Sequence, residues 1–539
     1  MIFNKGKEMT EKRPPHPLPL IIIIILVSIL GGLFGFWLGG GGYTYYRYAR
    51  SLANELELIE SSYMEEVDPE ALLKNAIAGI LSTLDPHSYY VTAEDYRQLY
   101  EGYQGKYTGI GVSFDLINGI ITVISTVEDG PSYKVGIIAG DQIVEVEGHP
   151  VVGISRERVI LLLRGPKGSR VRVTVRRVGL DQPLHFTIVR DVIPIESIPY
   201  AFIISPDVGY LRITRFSQTT SQELNQRLRK LKELGMKKIL LDLRSNTGGF
   251  LIQAAKVASA FLPSGKKIVS TRGRVDRQAE TFVSQDNTPW KDYPLVVLIN
   301  HGSASASEIV AGALQDWDRG LVVGETSFGK GLVQSQHKLG DGSVLFLTTA
   351  RYYTPSGRMI QRQYEDFGRY YEEGFFPSSE TQPANKELFY TAGGRKVFGG
   401  GGITPDEIIP SQPLPQIVAD FRIQNLFFSF ATLHRSAFQH LKEDFNRFLE
   451  EFEIDDGVIR QFIQFLDEQK VDYSAEEFQR HLPLMKLWLK SELASILWDR
   501  EKGYQVLVTN DPQVGRALQL FPQTSSLINA DNQGEDSLN

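Results

Sequence analysis

Two segments carry residue types from which acyl-transfer chemistry can be assembled. One is the serine-rich turn Asn300-His301-Gly302-Ser303-Ala304-Ser305-Ala306-Ser307-Glu308; the other is the lysine loop Gly324-Glu325-Thr326-Ser327-Phe328-Gly329-Lys330-Gly331, with Gln334 four residues past the lysine. A serine hydroxyl is a weak nucleophile until a neighbouring base takes its proton. A lysine serves as that base only where burial keeps its amine neutral. The small residues around Lys330, with Phe328, could form such a dry pocket, and the Gln334 amide could orient the amine. The serine turn follows the apolar run Leu295–Ile299 and precedes a helical stretch over 307–315. A helix N-terminus placed there favours the negative charge that develops on an oxyanion.

Each segment also has a plainer meaning. Ser305 with Glu308 spells a capping box, Ser303 and Ser307 compete with Ser305 for any nucleophilic role, and most loop lysines are simply solvated. Gly324-x-x-x-x-Gly329-Lys330 also matches all but the last position of the phosphate-binding P-loop pattern. Gly331 stands where a magnesium-holding hydroxyl belongs, and the acidic partner such a site needs, Asp242, comes before the loop instead of after it. Asp242-Leu243-Arg244-Ser245-Asn246-Thr247-Gly248-Gly249 adds paired glycines, which let a backbone approach a substrate and offer unobstructed N–H groups. Tyr107-Thr108-Gly109-Ile110-Gly111-Val112 leads a glycine-rich loop into a strand. Such a loop can hold a peptide's terminal carboxylate while the open strand edge adds the peptide as a further strand. Ordinary turns explain both sets of glycines equally well.

The chain contains no cysteine, which excludes a thiol nucleophile, thiolate metal sites, disulfides and a lipoprotein anchor. No H-E-x-x-H occurs and the nine histidines are scattered, so neither a metal nor a cofactor is expected; His301 reads as a turn residue. A net charge of −7 lacks the basic footprint of a nucleic-acid-binding protein.

The 539 residues suffice for three or four domains. Leu20–Leu38 is an uncharged run of 19 residues, about the length that spans a hydrocarbon core. Lys5, Lys7, Lys12 and Arg13 precede it, so a membrane anchor with residues 1–19 in the cytoplasm and the remainder outside is expected. The competing interpretation is a cleaved signal peptide ending in the glycines at 39–42. Residues 44–100 read as helical and 101–191 as a β-rich module. Residues 192–412 alternate strands and helices as an α/β domain interrupted by a polar, aromatic loop at 363–394, and 413–539 read as helices with a disordered tail over the last dozen residues.

Taken together, in their order, these motifs resemble the C-terminal processing peptidases, or tail-specific proteases, over roughly residues 60–362 and 392–410. The resemblance rests on seven stretches: Leu84-Asp85-Pro86-His87-Ser88, the loop at Gly109–Val112, Gly140-Asp141-Gln142-Ile143, the Asp242 to Gly249 motif, Ser303 to Glu308, Phe328-Gly329-Lys330-Gly331 with Gln334, and Gly399-Gly400-Gly401-Gly402-Ile403-Thr404-Pro405. It implies an α+β multidomain chain: a transmembrane helix, a PDZ-like module, an α/β protease core of the ClpP/crotonase-like kind, and a helical C-terminal region.

The family's lysine follows its nucleophile by 25 residues, which selects Ser305 with Lys330 as the base and Gln334 as its holder. The oxyanion hole is expected from the Ala306 N–H with one from Gly248 or Gly249, although Thr247 stands where the family often has proline. Asp316 is expected to act as a supporting, structural acid. The loop Gly109, Ile110, Gly111 and Val112 is expected to capture the unstructured apolar C-terminus of a protein substrate, and Arg164 to couple that capture to the active site. A homodimer or an adaptor remains open as a partner. The location implied is the bacterial inner membrane with the catalytic part in the periplasm. Two rival functions stay in view. One is a membrane-tethered PDZ scaffold without activity, which would have no need to keep Ser305, Lys330 and Gln334 together. The other is the P-loop nucleotide hydrolase.

Overall fold

A computed structural model describes residues 42–275, 279–285, 289–364, 367–375, 387–524 and 527. The expected anchor at Leu20–Leu38 and the expected disordered tail lie outside the described residues. No described helix is long and apolar enough to cross a membrane. The chain divides into two compact units at Leu84/Asp85. In the described part of the first, helix Gly42–Ser62 is followed by Pro69–Leu81, which starts on Pro69 with the Asp68 carboxylate accepting the Glu70 N–H at 2.9 Å. Proline suits the first helical turn because its missing N–H would have no partner there anyway.

The second unit is built around a six-stranded sheet in the order Tyr200–Ser205, Val208–Arg212, Lys238–Asp242, Leu295–Ile299, Leu321–Gly324, Glu407–Ile408. The first pair is antiparallel and the rest are parallel. Leu295–Ile299 is a run of five apolar residues, each 0% exposed, as a central parallel strand covered on both faces requires. The helices Thr220–Glu233, Leu251–Ser259 and Ala306–Asp316 pack into the same core, and the last of them is buried along its whole length.

A second sheet pairs Leu332–Lys338 with Val344–Tyr353, and the latter also with Tyr89–Val91 and Lys267–Gly273. The polar stretch expected as a loop at 363–394 is not all loop. Its described parts include helix Phe367–Phe375 and strand Leu388–Tyr390, which pairs with Lys396–Phe398. Tyr370 is buried beside Phe328, a contact 42 residues distant in sequence that no local periodicity could announce.

The β-rich module is a sheet ordered Val112–Ile117, Ile120–Thr126, Gln142–Val146, Arg170–Arg176, Leu184–Val189, closed by helix Arg156–Leu163. Val112–Ile117 lies at the end of that order and so keeps one edge unpaired within the sheet. The flanking strands Lys106–Gly109 and Asp191–Pro194 pair with each other and carry the chain in and out of the module. The helices after residue 414 share a core of phenylalanines and leucines. They pack against Ile117, Ile124 and Ala139 of the β-rich module, and Asn425 Nδ2 donates to Asp115 Oδ2 there.

Candidate active site

The serine turn leaves the carboxyl end of strand Leu295–Ile299 and enters helix Ala306–Asp316 with Ser305 as its N-cap. Ser303 and Ser307 are fully buried and give their hydroxyls to the carbonyls of Leu243 and Asn246, both at 2.8 Å. Ser305 is partly exposed and sits at φ 56°, ψ −111°, a conformation that costs an L-residue energy and is tolerated where surrounding structure enforces it. Among three serines, therefore, the fold spends two on scaffolding and presents one.

Lys330 stands on the turn between strands Leu321–Gly324 and Leu332–Lys338. Its Nζ donates to Gln334 Oε1 at 2.7 Å, and Gln334 Nε2 in turn donates to the His87 carbonyl. Gln334 lies on a strand, four residues from Lys330, and the pairing slips by one residue between Val333 and Gln334. Such a bulge re-aims a side chain next to a site. Burial pulls the Lys330 ammonium down to about 8, against the charges of Glu308 and Asp85 that hold it up.

Glu308 is the residue whose importance sequence reasoning missed. The S-x-x-E spacing marks it as half of a capping box, and its carboxylate does accept the Ser305 N–H at 2.7 Å. The same carboxylate also accepts the N–H of Lys330 at 2.9 Å, the N–H of Gly329 at 2.7 Å and the Ser327 hydroxyl at 2.5 Å. One fully buried acid thus ties the backbone of Ser305 to that of Lys330. Burial pushes it up to about 7 even with these four donors holding it down. The Tyr352 hydroxyl adds a second tie, donating to the Lys330 carbonyl and lying 3.2 Å from that of Ser305.

The turn Asp85–Ser88 supports Gln334. Asp85 accepts from the N–H groups of His87 and Ser88 and from the hydroxyls of Ser88 and Thr348, which fixes the His87 carbonyl in place. The His87 ring is buried against Tyr370, 3.0 Å from its hydroxyl, and burial together with the Lys330 charge lowers it to about 4.

Gly248 packs on the serine turn: a Cβ there would meet Ser305 Cβ at 2.9 Å and Ala306 N at 3.0 Å. Its own N–H is given to Asn246 Oδ1 at 2.9 Å. The Gly248 carbonyl accepts from Phe216, so across the same trans peptide the Gly249 N–H points away from Phe216. Among the described residues neither the Gly249 nor the Ala306 N–H has an acceptor. Glycine at 249 is required for space, since a Cβ would lie 2.2 Å from the Phe216 carbonyl oxygen at φ 144°.

Other expected residues lie elsewhere. Asp316 ends the helix that Ser305 begins, about 16 Å away at 1.5 Å per residue. There it holds Arg358 at 2.6 Å and both Ser356 donors, as a structural ion pair. His301 lies 3.9 Å from Glu325. The loop Gly109–Val112 is remote in sequence from Ser305 and stays with the β-rich module, its Ile110 and Gly111 carbonyls accepting from Ser132 and Val127. Arg164 reaches out of that module to Glu101 at 2.5 Å and stacks over Tyr107.

The P-loop alternative fails on its own geometry. A strand, not a helix, follows Lys330, and the N–H groups of Gly329, Lys330 and Gly331 already serve Glu308 and Gln361. Nothing is left of a phosphate cradle. Among the described residues no acidic, histidine or cysteine cluster could hold a metal.

A partly exposed serine at a helix start, a desolvated lysine and a β-rich module with an open strand edge define the class of a serine peptidase carrying a peptide-binding domain. Comparison with known proteins agrees: residues 207–366 match peptidase family S41, 122–177 the PDZ domain, 48–95 the N-terminal domain of the activating protease CtpB, and 414–499 a family of unknown function. A carboxy-terminal-processing protease of Bartonella bacilliformis is 41% identical over 322 residues, 59% of this chain and 73% of that protein. The carboxy-terminal processing protease CtpA of Bacillus subtilis is 34% identical over 308 residues, 57% of this chain and 65% of its own length, just under two thirds. The solved photosystem II D1 C-terminal processing protease aligns at 28% identity over 66% of this chain and 86% of its own, with a TM-score of 0.35. The chain belongs to peptidase family S41, as a serine-type C-terminal processing peptidase with a PDZ domain.

Proposed function

We propose that the protein is a membrane-anchored endopeptidase that grips the unstructured apolar C-terminus of a protein substrate in its PDZ domain and cleaves with Ser305, Lys330 and Gln334. The observation that carries this is the selection among the serines: Ser303 and Ser307 hold the scaffold, while Ser305 is presented beside a loop whose lysine burial holds near neutrality. Neutral Lys330 takes the Ser305 proton as Oγ attacks the scissile carbonyl. The N–H groups of Ala306 and Gly249 receive the oxyanion, Gly248 being committed to Asn246. Lys330 returns the proton to the leaving amine as the C–N bond breaks. Water then attacks the Ser305 ester through the same base, which releases the acid and restores the hydroxyl.

The anchor is assigned to Leu20–Leu38, with its positive flank in the cytoplasm and the peptidase on the outer side of a bacterial inner membrane. The test is to incubate the full chain, in detergent and without nucleotide, with an unfolded protein ending in apolar residues. Cleavage is expected for the natural chain and lost in Ser305→Ala; cleavage that survives the substitution, or that needs ATP and Mg²⁺, overturns the assignment. Because the base must be neutral, kcat/KM should rise with pH and level off above about 8.

Arg164 supplies the connection between tail capture and cleavage. Its partner Glu101 belongs to helix Ala93–Gln104, whose Tyr103 ring packs at a tilt against Phe250, 5.0 Å between centroids, and whose Tyr103 carbonyl accepts the Gln218 N–H at 2.9 Å. Phe250 directly follows Gly249. Arg164→Ala is therefore expected to slow cleavage of long, tail-bearing substrates severalfold and to spare short peptides; steady-state kinetics on the two substrate lengths decides, and equal rates for the long substrate would remove the coupling.

A further inference from the structure

The helices after residue 414 and the strands Tyr200–Ser205 and Val208–Arg212 enclose an open cleft of about 660 Å³, within the range of about 300–1,000 Å³ usual for ligand sites. Three arginines line it: Arg212, Arg422 and Arg500. Arg422 stacks on Trp488 at 4.0 Å; it and Arg500 are exposed, and among the described residues neither has a protein hydrogen-bond acceptor for its side chain. Arg212 gives two of its nitrogens to the Tyr504 hydroxyl and the Arg244 carbonyl, but its Nε is buried without a partner.

The acid in the cleft is Glu492. It also lacks a hydrogen bond among the described residues, and burial raises it above the usual carboxylate range despite the charges of Arg500 and Arg422. Arg422 and Arg500 are exposed at the cleft and Glu492 is half-buried, so solvent reaches all three; the buried Arg212 Nε is the group left without a partner, and a buried donor of that kind is costly unless something completes it. An extended polypeptide bearing acidic side chains is complementary to this lining: carboxylates for the three guanidinium groups, the Arg212 Nε among them, and main-chain N–H donors for Glu492.

The position of the cleft indicates which polypeptide. At one side Asn425, which lines it, bonds Asp115 on the PDZ strand with the open edge. At the other side lies Thr214, two residues before Phe216, so the two are at most about 7 Å apart along the chain. Phe216 bridges Gly249 of the oxyanion loop. Resting on the peptidase reading above, we infer that this cleft holds an acidic stretch of the substrate chain between its PDZ-bound tail and the bond that is cut, so that the C-terminal helical domain selects substrates by charge.

The test uses the full chain carrying Ser305→Ala, so that binding is read without catalysis. Two fluorescent peptides share an apolar C-terminus; one carries three glutamates upstream of it, the other three glutamines. The glutamate peptide is expected to bind roughly five- to tenfold more tightly at low salt, within the range for two solvent-exposed charge pairs. Adding Arg422→Gln and Arg500→Gln should bring that ratio to about one. Equal binding of the two peptides by the parent, or a ratio that survives both substitutions, overturns the inference. Loss of cleavage by the natural chain would instead count against the peptidase reading and leave this binding ratio standing. A melting curve on the double variant separates a changed ratio from a failure to fold.

Discussion

Lys330→Met is expected to lower kcat/KM by about a thousandfold or more while leaving the protein at least as stable. A positioned general base contributes about 10²–10⁴ in rate, and here it also returns the proton to the leaving group, so both bond-making and bond-breaking suffer. Methionine keeps the length and the apolar stem, which matters because the lysine side chain is largely buried. The stability half of the prediction follows from linkage. A lysine whose folded value is about 8 against 10.5 unfolded binds its proton less readily in the fold. That disfavours the native state by on the order of 3 kcal/mol at pH 7, a cost absent above the unfolded value and complete once the pH falls below the folded one. Methionine removes the cost and leaves one Gln334 oxygen without its donor, a smaller loss of roughly 1–2 kcal/mol. Kinetics paired with a melting curve at pH 7 checks both halves. A variant that is inactive and also melts several degrees lower would mean that Lys330 was structural.

The residues of the candidate site are legible at very different depths. The strand Leu295–Ile299 announces itself as a run of apolar residues, and a helix beginning within a residue or two of Ser305 follows from the pattern after it. The choice of Ser305 over its neighbours was not in the local pattern: it came from the family spacing. The structure supplies a separate reason, the carbonyls of Leu243 and Asn246 that occupy Ser303 and Ser307. Those carbonyls lie about sixty residues upstream, beyond any periodicity. Gln334 lies beside Lys330 by means of a bulge in a strand pair that four-residue spacing does not suggest. The brace on Gln334 from His87 spans 247 positions, and that on Arg244 from Asp511 spans 267. Contacts of this kind come from topology, and topology is what a single sequence states least directly.

The C-terminal helices show the same limit from the other side. Their amphipathic pattern was readable, and their attachment was not. Arg244, two residues past the strand it follows, pairs with Asp242 at 2.7 Å and with Asp511 at 2.7 Å, while Tyr210 gives its hydroxyl to Asp242. A buried arginine with two carboxylates needs every partner in place, so loss of one leaves a desolvated charge behind. The segment that carries Gly248 and Gly249 is therefore anchored from behind by the last described helices of the chain. This makes the C-terminal region part of the support of the active site, whatever it also binds.

Glu308→Gln is the second change with a large expected effect, and it separates positioning from mere packing. The amide has nearly the shape of the acid but only one acceptor oxygen, and its NH₂ must face donors that the carboxylate now serves. At least one of the N–H groups of Ser305, Gly329 and Lys330, or the Ser327 hydroxyl, then loses its partner in a fully buried place, at about 1–3 kcal/mol for each. The nucleophile and base loops are the parts that relax, so kcat should fall by roughly a hundredfold with KM little changed. A second readout has a definite sign. The Glu308 charge holds the Lys330 ammonium up against burial, and removing that charge lets it fall further. The acid limb of the pH–rate profile should therefore move below about 8 in the variant, although the rate plateau is lower. A packing defect alone would lower the plateau and leave the midpoint where it was. Glu308→Asp keeps the charge on a shorter arm and should keep the midpoint close to that of the natural chain while losing part of the rate. A midpoint that moves equally in both variants, or in neither, would show that the carboxylate does not act on Lys330 through its charge.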